Sequence, residues 1–196
     1  MPDVSIRAAT SSDTDADALA RLIAIAGEGM PQLVWEEMRE PGETVWDVGR
    51  RRAQRGEGSF SYRNAMLAEV AGEVRAGMVS YGLAAEPEPW SPEEVPPMFR
   101  SLQELEDLAA GSWYVMVLAA FEGHRGQGLG AALLAHADVL ARAAGRDAIS
   151  IIVRDANRAR RLYERVGYVE QARRAIVRTG GWDVEGKDWV LLVKPL

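Results

Sequence analysis

The sequence contains no cysteine, and this absence removes several kinds of chemistry at once. A chain without cysteine forms no disulfide, offers no thiolate ligand to a metal ion and has no cysteine nucleophile. Histidine is scarce as well, because His124 and His136 are the only two. Neither lies at a metal-ligand spacing with carboxylates, so the sequence predicts no metal site.

Long apolar runs and an excess of basic residues are also missing. No stretch approaches the roughly 18 apolar residues of a membrane span, and the N-terminus lacks a basic segment followed by an apolar run. The net charge of −6 argues against a general affinity for nucleic acid. We therefore expect a cytoplasmic protein that uses neither a membrane nor a nucleic acid as its partner.

The residues that are present suit a small enzyme. The chain has 196 residues, of which 47% are hydrophobic, enough for a sizeable core. This length predicts one domain over residues 1–196. The Gly-x-Ser-x-Gly motif of serine hydrolases is not found in the sequence.

The periodicity of apolar residues predicts a mixed α/β chain. A helix is indicated where Leu19, Leu22, Ile23 and Ala26 recur on one face, with Ser12 and Asp15 resembling a capping box and Gly27 ending the helix. Further helices are expected over 31–40, 44–55, 131–144 and 157–166. Strands are expected over Val4–Ala8, Ala65–Val70, Arg75–Leu83, 112–121, 149–153, 168–177 and 188–194, with a hairpin turn at Ala71-Gly72-Glu73.

A glycine-rich stretch after the strand 112–121 carries most of the functional information. Gly126, Gly128 and Gly130 lack a Cβ, so their amides can approach a ligand closely and adopt positive φ. The helix that follows begins with unpaired N–H groups at the positive end of its dipole. A strand, such a loop and a helix N-terminus together predict a site for a diphosphate.

Two families use such a loop. As Gly126-x-Gly128-x-x-Ala131 it fits the dinucleotide fingerprint, with Asp155 placed to bind a ribose. As Arg125-x-x-Gly128-x-Gly130, it resembles the pyrophosphate loop of the GNAT superfamily, the acetyl-CoA-dependent N-acyltransferases. The second resemblance continues through Leu118-Ala119-Ala120 before the loop and Asn157 after the next strand, and it ends in the run Leu162-Tyr163-Glu164-Arg165-Val166-Gly167-Tyr168.

The GNAT resemblance is clear over about residues 112–178, and it implies a fold, an activity and a set of site residues. The implied fold is a mixed, mostly antiparallel twisted sheet of about seven strands flanked by about four helices. The implied reaction is transfer of an acetyl group from acetyl-CoA to a primary amine by direct attack in a ternary complex. The residues expected to contact acetyl-CoA are Leu118, Ala119, Ala120, Arg125, Gly126, Gln127, Gly128, Leu129, Gly130, Ala131, Asn157 and Tyr163.

Tyr163 is the candidate catalytic residue. The resemblance implies that its hydroxyl protonates the departing CoA thiolate, because a phenol is protonated at neutral pH. Its apolar helix face is equally typical of a core tyrosine. Asn157 is expected to bind the pantetheine arm, although an asparagine there also suits a helix N-cap.

The general base has no clear candidate in the sequence. Some members of the family use a carboxylate in the strand that corresponds to 112–121, but Ser112–Phe121 contains none. The carboxylates considered instead are those of Glu28, Glu36, Glu69 and Glu122, each of which also suits a surface or paired role. A water relay is an equal alternative, so no base is assigned.

Residues 86–111 interrupt the family pattern as an acidic, proline-rich insertion. The segment holds five prolines and one basic residue, Arg100, and its acidic residues are Glu86, Glu88, Glu93, Glu94, Glu104, Glu106 and Asp107. A short helix over Ser101–Leu108, with Leu102, Leu105 and Leu108 along one side, is one element it could contain. The segment is either a solvated loop or a flap that attracts a cationic amine acceptor.

Three functions therefore remain open. The first is the N-acetyltransferase, whose acceptor, oligomeric state (a homodimer is one option) and use of longer acyl groups the sequence leaves undetermined. The second is an NAD(P)-dependent oxidoreductase that uses the same loop. The third is a non-catalytic acyl-CoA sensor.

Overall fold

The computed structural model describes residues 4–179 and 181–196. Within this part of the chain, the strands are β1 Val4–Ala8, β2 Ala65–Val70, β3 Glu73–Gly82, β4 Trp113–Ala120, β5 Ala148–Arg154, β6 Val169–Ala175 and β7 Asp188–Pro195. The α-helices are α1 Asp13–Ala26, α2 Met30–Glu37, α3 Val45–Ala53, α4 Pro97–Leu108, α5 Leu129–Ala143 and α6 Arg160–Arg165. A 3₁₀ turn covers Tyr62–Asn64.

The seven strands form one sheet in the order β1-β2-β3-β4-β5-β7-β6. The ladders β1/β2, β2/β3, β5/β7 and β6/β7 are antiparallel, whereas β4 and β5 run parallel. A parallel pair requires a crossover connection, and α5 supplies it here. The predicted fold class, a mixed and mostly antiparallel sheet of about seven strands with helices, is confirmed. The helices number six in the described residues rather than about four.

The chain divides into two compact units, which are described separately. The first unit contains the chain up to Ser80 together with Met116–Leu134, and the second contains Tyr81–Val115 and Ala135–Leu196. The sequence-based expectation of one domain over residues 1–196 stays a prediction.

The core of the first unit forms where α1, α2 and α3 pack together. Trp35 stands at its centre, with its ring 6.3 Å from the rings of both Trp46 and Phe60. Gly49 of α3 allows this packing, because a Cβ there would lie 2.7 Å from the Trp35 ring. Large apolar side chains from the helices and strands complete the cluster, among them Leu19, Leu22, Val48, Leu67, Val79 and Val117.

The start of α1 differs from the predicted capping box. The Ser12 hydroxyl accepts the Asp15 amide as expected, at 3.3 Å, but the Asp15 carboxylate binds the Arg7 guanidinium and Thr10 instead of the Ser12 amide. The Arg7 guanidinium lowers the pKa of this buried carboxyl to about 2. The capping box occurs at α3, between Thr44 and Asp47.

In the second unit, the acidic segment contains a helix that is longer than predicted. It begins at Pro97, since the fixed φ of proline suits a first helical turn. Leu105 is completely buried, Leu102 is half-buried and Leu108 is 58% exposed, so the three leucines do not share one buried side. The helix packs against β5, β6 and β7, which makes the second half of this segment part of the fold.

Candidate active site

The end of β4 brings three of the predicted residues to the glycine loop. Leu118 and Ala120 are half-buried and Ala119 is buried. Directly after them, the Phe121 amide donates to the Arg75 carbonyl of β3 at 2.9 Å, so this end of β4 is fixed by its neighbour in the first unit. In the second unit, the ladder between β4 and β5 comprises three residue pairs, Trp113 to Val115 with Ile149 to Ile151.

The loop after β4 requires glycine at two of its predicted positions. Gly126 has φ +74° and Gly128 has φ +86°, values that residues with a Cβ rarely adopt. A Cβ at either position would meet no atom within 4 Å, so backbone conformation rather than packing demands glycine. The Gln127 side chain closes the loop by donating to the Gly123 carbonyl at 2.8 Å.

Helix α5 begins two residues earlier than predicted, at Leu129, and this places more of the motif in its first turn. The first hydrogen bond between this helix and the loop runs from the Ala132 amide to the Gly128 carbonyl, at 3.0 Å. The amides of Leu129, Gly130 and Ala131 precede it and have no acceptor one turn back inside the helix. Together with exposed Arg125, these amides form an N-terminus suited to an anion.

Asn157 lies in the second unit, just before α6. This helix begins at Arg160, later than predicted, and the Asn157 side-chain oxygen accepts the Ala159 amide at 2.8 Å. The asparagine therefore has the capping-type role that the sequence allowed. It also lines a pocket of about 510 Å³ with Asp155, Ala156, Arg158, Arg160 and Arg161.

Three residues of that pocket bear on its charge. Arg158, just before α6, and Arg161, within it, are exposed. Asp155 is occupied by a structural contact, because the Lys187 amide donates to both of its carboxylate oxygens at 3.0 and 3.3 Å. The pocket thus combines exposed cationic side chains with a carboxylate that already accepts a backbone hydrogen bond.

Tyr163 is buried within the second unit. Its side chain is 3% exposed, and its ring contacts that of Tyr168 edge-on at a centroid distance of 6.0 Å. Burial raises the pKa of the Tyr163 phenol above its ordinary value. The hydroxyl therefore remains protonated at neutral pH, and its burial is typical of a core tyrosine. The role of proton donor stays a prediction.

Most of the carboxylates considered as a base are engaged or exposed. Glu36 pairs with Arg39 at 2.8 Å, Glu69 binds Arg7 at 2.6 Å, and Glu28 and Glu122 are exposed.

The predicted site residues are divided between the two units. The loop motif lies in the first unit, and Asn157 and Tyr163 lie in the second.

One carboxyl that the sequence did not single out is that of Glu106 on α4. Burial raises its pKa to about 7, while a hydrogen bond from the Tyr114 hydroxyl lowers it and the Asp107 charge raises it. The signal was present in the sequence, because Glu106 lies on the stripe of Leu102, Leu105 and Ala109 at helical spacing. The high count of acids in this segment concealed it.

Two classes of feature are absent from the residues that the structure describes. Of the helices there, none combines the length and the apolar character that crossing a membrane requires. Among the same residues, no three or more His, Asp or Glu side chains converge in a way that could hold a metal ion.

Comparison with known families bears on the region of the motifs. A family model described as an acetyltransferase (GNAT) domain matches residues 99–170, which include β4, the glycine loop, α5, β5 and α6. The predicted resemblance to the GNAT superfamily is confirmed by this match. No curated protein matches the chain significantly.

Solved structures resemble the whole chain. A crystal structure described as an acetyltransferase shares 22% identity with a TM-score of 0.64, covering 97% of this chain and 98% of that one. Ard1 from Thermoplasma volcanium shares 15% identity with a TM-score of 0.60, covering 98% and 97%. An N-acetyltransferase from Staphylococcus aureus Mu50 shares 19% identity with a TM-score of 0.60, covering 96% and 99%. At these identities the likeness shows a common fold.

Proposed function

We propose that this chain transfers an acetyl group from acetyl-CoA to a primary amine by direct attack in a ternary complex. The observation that carries the proposal is the loop from Arg125 to Ala131. Gly126 and Gly128 in this loop adopt positive φ, the loop leads into the N-terminus of α5, and it lies inside the region matched by the GNAT acetyltransferase model. A diphosphate fits there because amides and helix dipole both favour an anion.

The remaining contacts to acetyl-CoA follow from the chemistry of its parts. The amides of pantetheine suit the main chain of Leu118, Ala119 and Ala120, to which they can add as a strand. Asn157 is proposed to bind the same arm, since a carboxamide both donates and accepts hydrogen bonds. Exposed Arg158 and Arg161 beside it suit the phosphates of the nucleotide.

The reaction needs two proton transfers. The amine nitrogen attacks the thioester carbonyl, the new C–N bond forms, and the C–S bond breaks. The nitrogen loses one proton to a base, and the thiolate gains one from Tyr163. Burial raises the pKa of this phenol, so the proton stays on Tyr163 until the thiolate forms.

A nucleotide-dependent oxidoreductase is less well supported. That function requires Asp155 to bind a ribose, but its carboxylate already accepts the Lys187 amide. Dinucleotide-binding folds are also mostly parallel, whereas the ladders of β5 with β7 and of β6 with β7 are antiparallel. The sensor alternative shares the fold and differs only in lacking transfer.

The acceptor is proposed to carry positive charge. Glu86, Glu88 and Glu93 are exposed in the acidic segment and supply a negative field beside α4. Such a field attracts cations over about 8 Å at physiological salt. A cytoplasmic location and a homodimer remain compatible proposals.

The test is release of free CoA thiol from acetyl-CoA in the presence of a panel of amines. The panel contains small amines, amino acids, an aminoglycoside antibiotic and peptides with free N-termini. We expect amine-dependent release with at least one of them, and calorimetric binding of CoA in preference to NAD. Binding of CoA without release would favour the sensor, and binding of NAD alone would favour the oxidoreductase.

A further inference from the structure

Three exposed arginines lie at the pocket of the second unit and just beyond it. Arg158 and Arg161 line the pocket, and Arg165 lies one turn after Arg161, at the end of α6. All three side chains are exposed. These three residues, named the arginine patch here, belong wholly to the second unit.

The acidic side chains next to the patch are already paired with a different arginine. Arg160 contacts the Glu164 carboxylate at 3.3 Å and the Glu170 carboxylate at 3.1 Å. Over residues 4–179 and 181–196, no carboxylate forms an ion pair with an arginine of the patch. The patch therefore keeps its positive charge for a partner outside this chain.

The nucleotide of CoA accounts for only part of the patch. Its phosphates are proposed to bind Arg158 and Arg161, which line the pocket, whereas Arg165 does not line it. Four residues of a helix rise by about 6 Å, so Arg165 extends the positive surface by that length. Arg161 and Arg165 also repel each other, because like charges four residues apart destabilise a helix. A charge kept at this cost suits a partner that reaches beyond the pocket.

The charge of the whole chain restricts the kind of partner. The net charge of −6 opposes the approach of an acidic macromolecule, so the attraction comes from the patch alone and is screened over about 8 Å at physiological salt. Such a short-range contact favours an acidic partner that a second, specific interaction holds at the same place. A pantetheine arm in the pocket beside Asn157 supplies that interaction.

We propose that the arginine patch docks an acidic carrier protein, whose phosphopantetheine arm enters the pocket as the arm of CoA does. The inference rests on the proposed acetyl transfer and adds a second acyl donor to it. The carrier's thioester reacts in the same way as that of acetyl-CoA. The amine nitrogen forms a C–N bond, the C–S bond breaks, and the proton lost by nitrogen balances the one gained by the sulfur of the arm.

The test compares three acetyl donors with an amine that accepts from acetyl-CoA. They are acetyl-CoA, acetyl-phosphopantetheine and an acetylated carrier protein of net negative charge. The second and third share the arm and its phosphate, so they differ only in the acidic protein. At low salt we expect kcat/KM for the carrier protein to exceed that for acetyl-phosphopantetheine by roughly tenfold or more. The advantage should shrink as salt is added, because exposed charges are screened.

Two variants make the test specific to the patch. Arg165→Gln removes the charge that lies beyond the pocket. It should lower kcat/KM for the carrier protein by roughly three- to tenfold at low salt and leave the value for acetyl-CoA within about twofold of the parent. Arg142→Gln is the matched control, because Arg142 is an exposed arginine of the second unit that lies on α5, outside the patch. It should keep the parent value for every donor.

The outcomes separate the docking from the proposed function. Equal kcat/KM for the carrier protein and acetyl-phosphopantetheine overturns the docking, as do equal values for the carrier protein in the Arg165→Gln and Arg142→Gln variants. A loss in Arg165→Gln that is as large with acetyl-CoA as with the carrier protein assigns Arg165 to the nucleotide and also overturns the docking. A parent protein that transfers acetyl from none of the three donors to any amine contradicts the proposed function, and the docking with it.

Discussion

The hydroxyl of Tyr163 is buried and has a proposed chemical task, the protonation of the departing thiolate. Its ring packs edge-on against Tyr168 in the second unit, so removing the hydroxyl alone leaves the packing intact. The two tyrosines also share the effect of burial, which raises the pKa of each phenol. They therefore make a matched pair for testing which hydroxyl acts.

We expect Tyr163→Phe to lower kcat by roughly 10²–10⁴, because the thiolate loses its proton donor. Acetyl-CoA affinity should survive, since the ring remains. Tyr168→Phe is the control, because it removes a hydroxyl that is also buried. This variant should leave kcat nearly unchanged. Steady-state kinetics and calorimetry measure both quantities. Equal kcat values for the parent and Tyr163→Phe would assign Tyr163 to the core alone.

Residue roles were only partly accessible from the sequence. Burial of Tyr163 follows from its apolar helix face, but Glu106 was hidden by the acids around it. The reason is that exposed and buried carboxylates look alike in a charge count, and only the positions of Leu102, Leu105 and Ala109 distinguish them. The hydrogen bond from the Tyr114 hydroxyl to Glu106 joins β4 to α4, so no local sequence pattern encodes it.

At the scale of elements, the junction of β4, the glycine loop and α5 was the most predictable part of the site. The glycines at 126 and 128 have the positive φ that the motif implied, whereas Gly130 lies within the first turn of α5. Helix ends were less predictable. Helix α6 begins at Arg160 because Asn157 turns the chain before it, and α4 extends back to Pro97.

We predict that Gly128→Val weakens CoA binding by tenfold or more, about 1.4 kcal/mol. A β-branched residue at φ +86° strains the loop and adds bulk where a phosphate must come close. Gly72→Val is the matched control, because Gly72 also has a positive φ of +77° and open space around it, in the β2–β3 hairpin. Calorimetry with both folded variants makes the comparison. Equal CoA affinity in the two would remove the diphosphate from this loop.

At the scale of the whole molecule, the order of strands and helices was predictable because each strand carries its own apolar pattern. β1 and β2 begin and end where the sequence indicated. The partition of the chain into two units was not predictable in this way, because β4 and α5 each contribute residues to both. Local periodicity does not report which residues far apart in sequence gather into one unit.

The family resemblance is the basis of the proposed acetyl transfer, while the acceptor is defined only by chemistry. Beyond the charge of residues 86–111, few features of the sequence bear on the identity of the acceptor. In the structure, Glu104 of that segment is paired with Arg174, whereas Glu86, Glu88, Glu93 and Glu94 are exposed. These exposed carboxylates are the observation behind the proposal of a cationic acceptor.

The proposed direct transfer of an acetyl group from acetyl-CoA to an amine can be followed with isotopically labelled acetyl groups. Mass spectrometry then locates the label in the small molecules and in the intact protein. Direct transfer predicts label on the amine nitrogen, an equal amount of free CoA, and no label on the protein. Label that accumulates on the protein before the amine is added, or label that never reaches any amine while acetyl-CoA is bound, would contradict it.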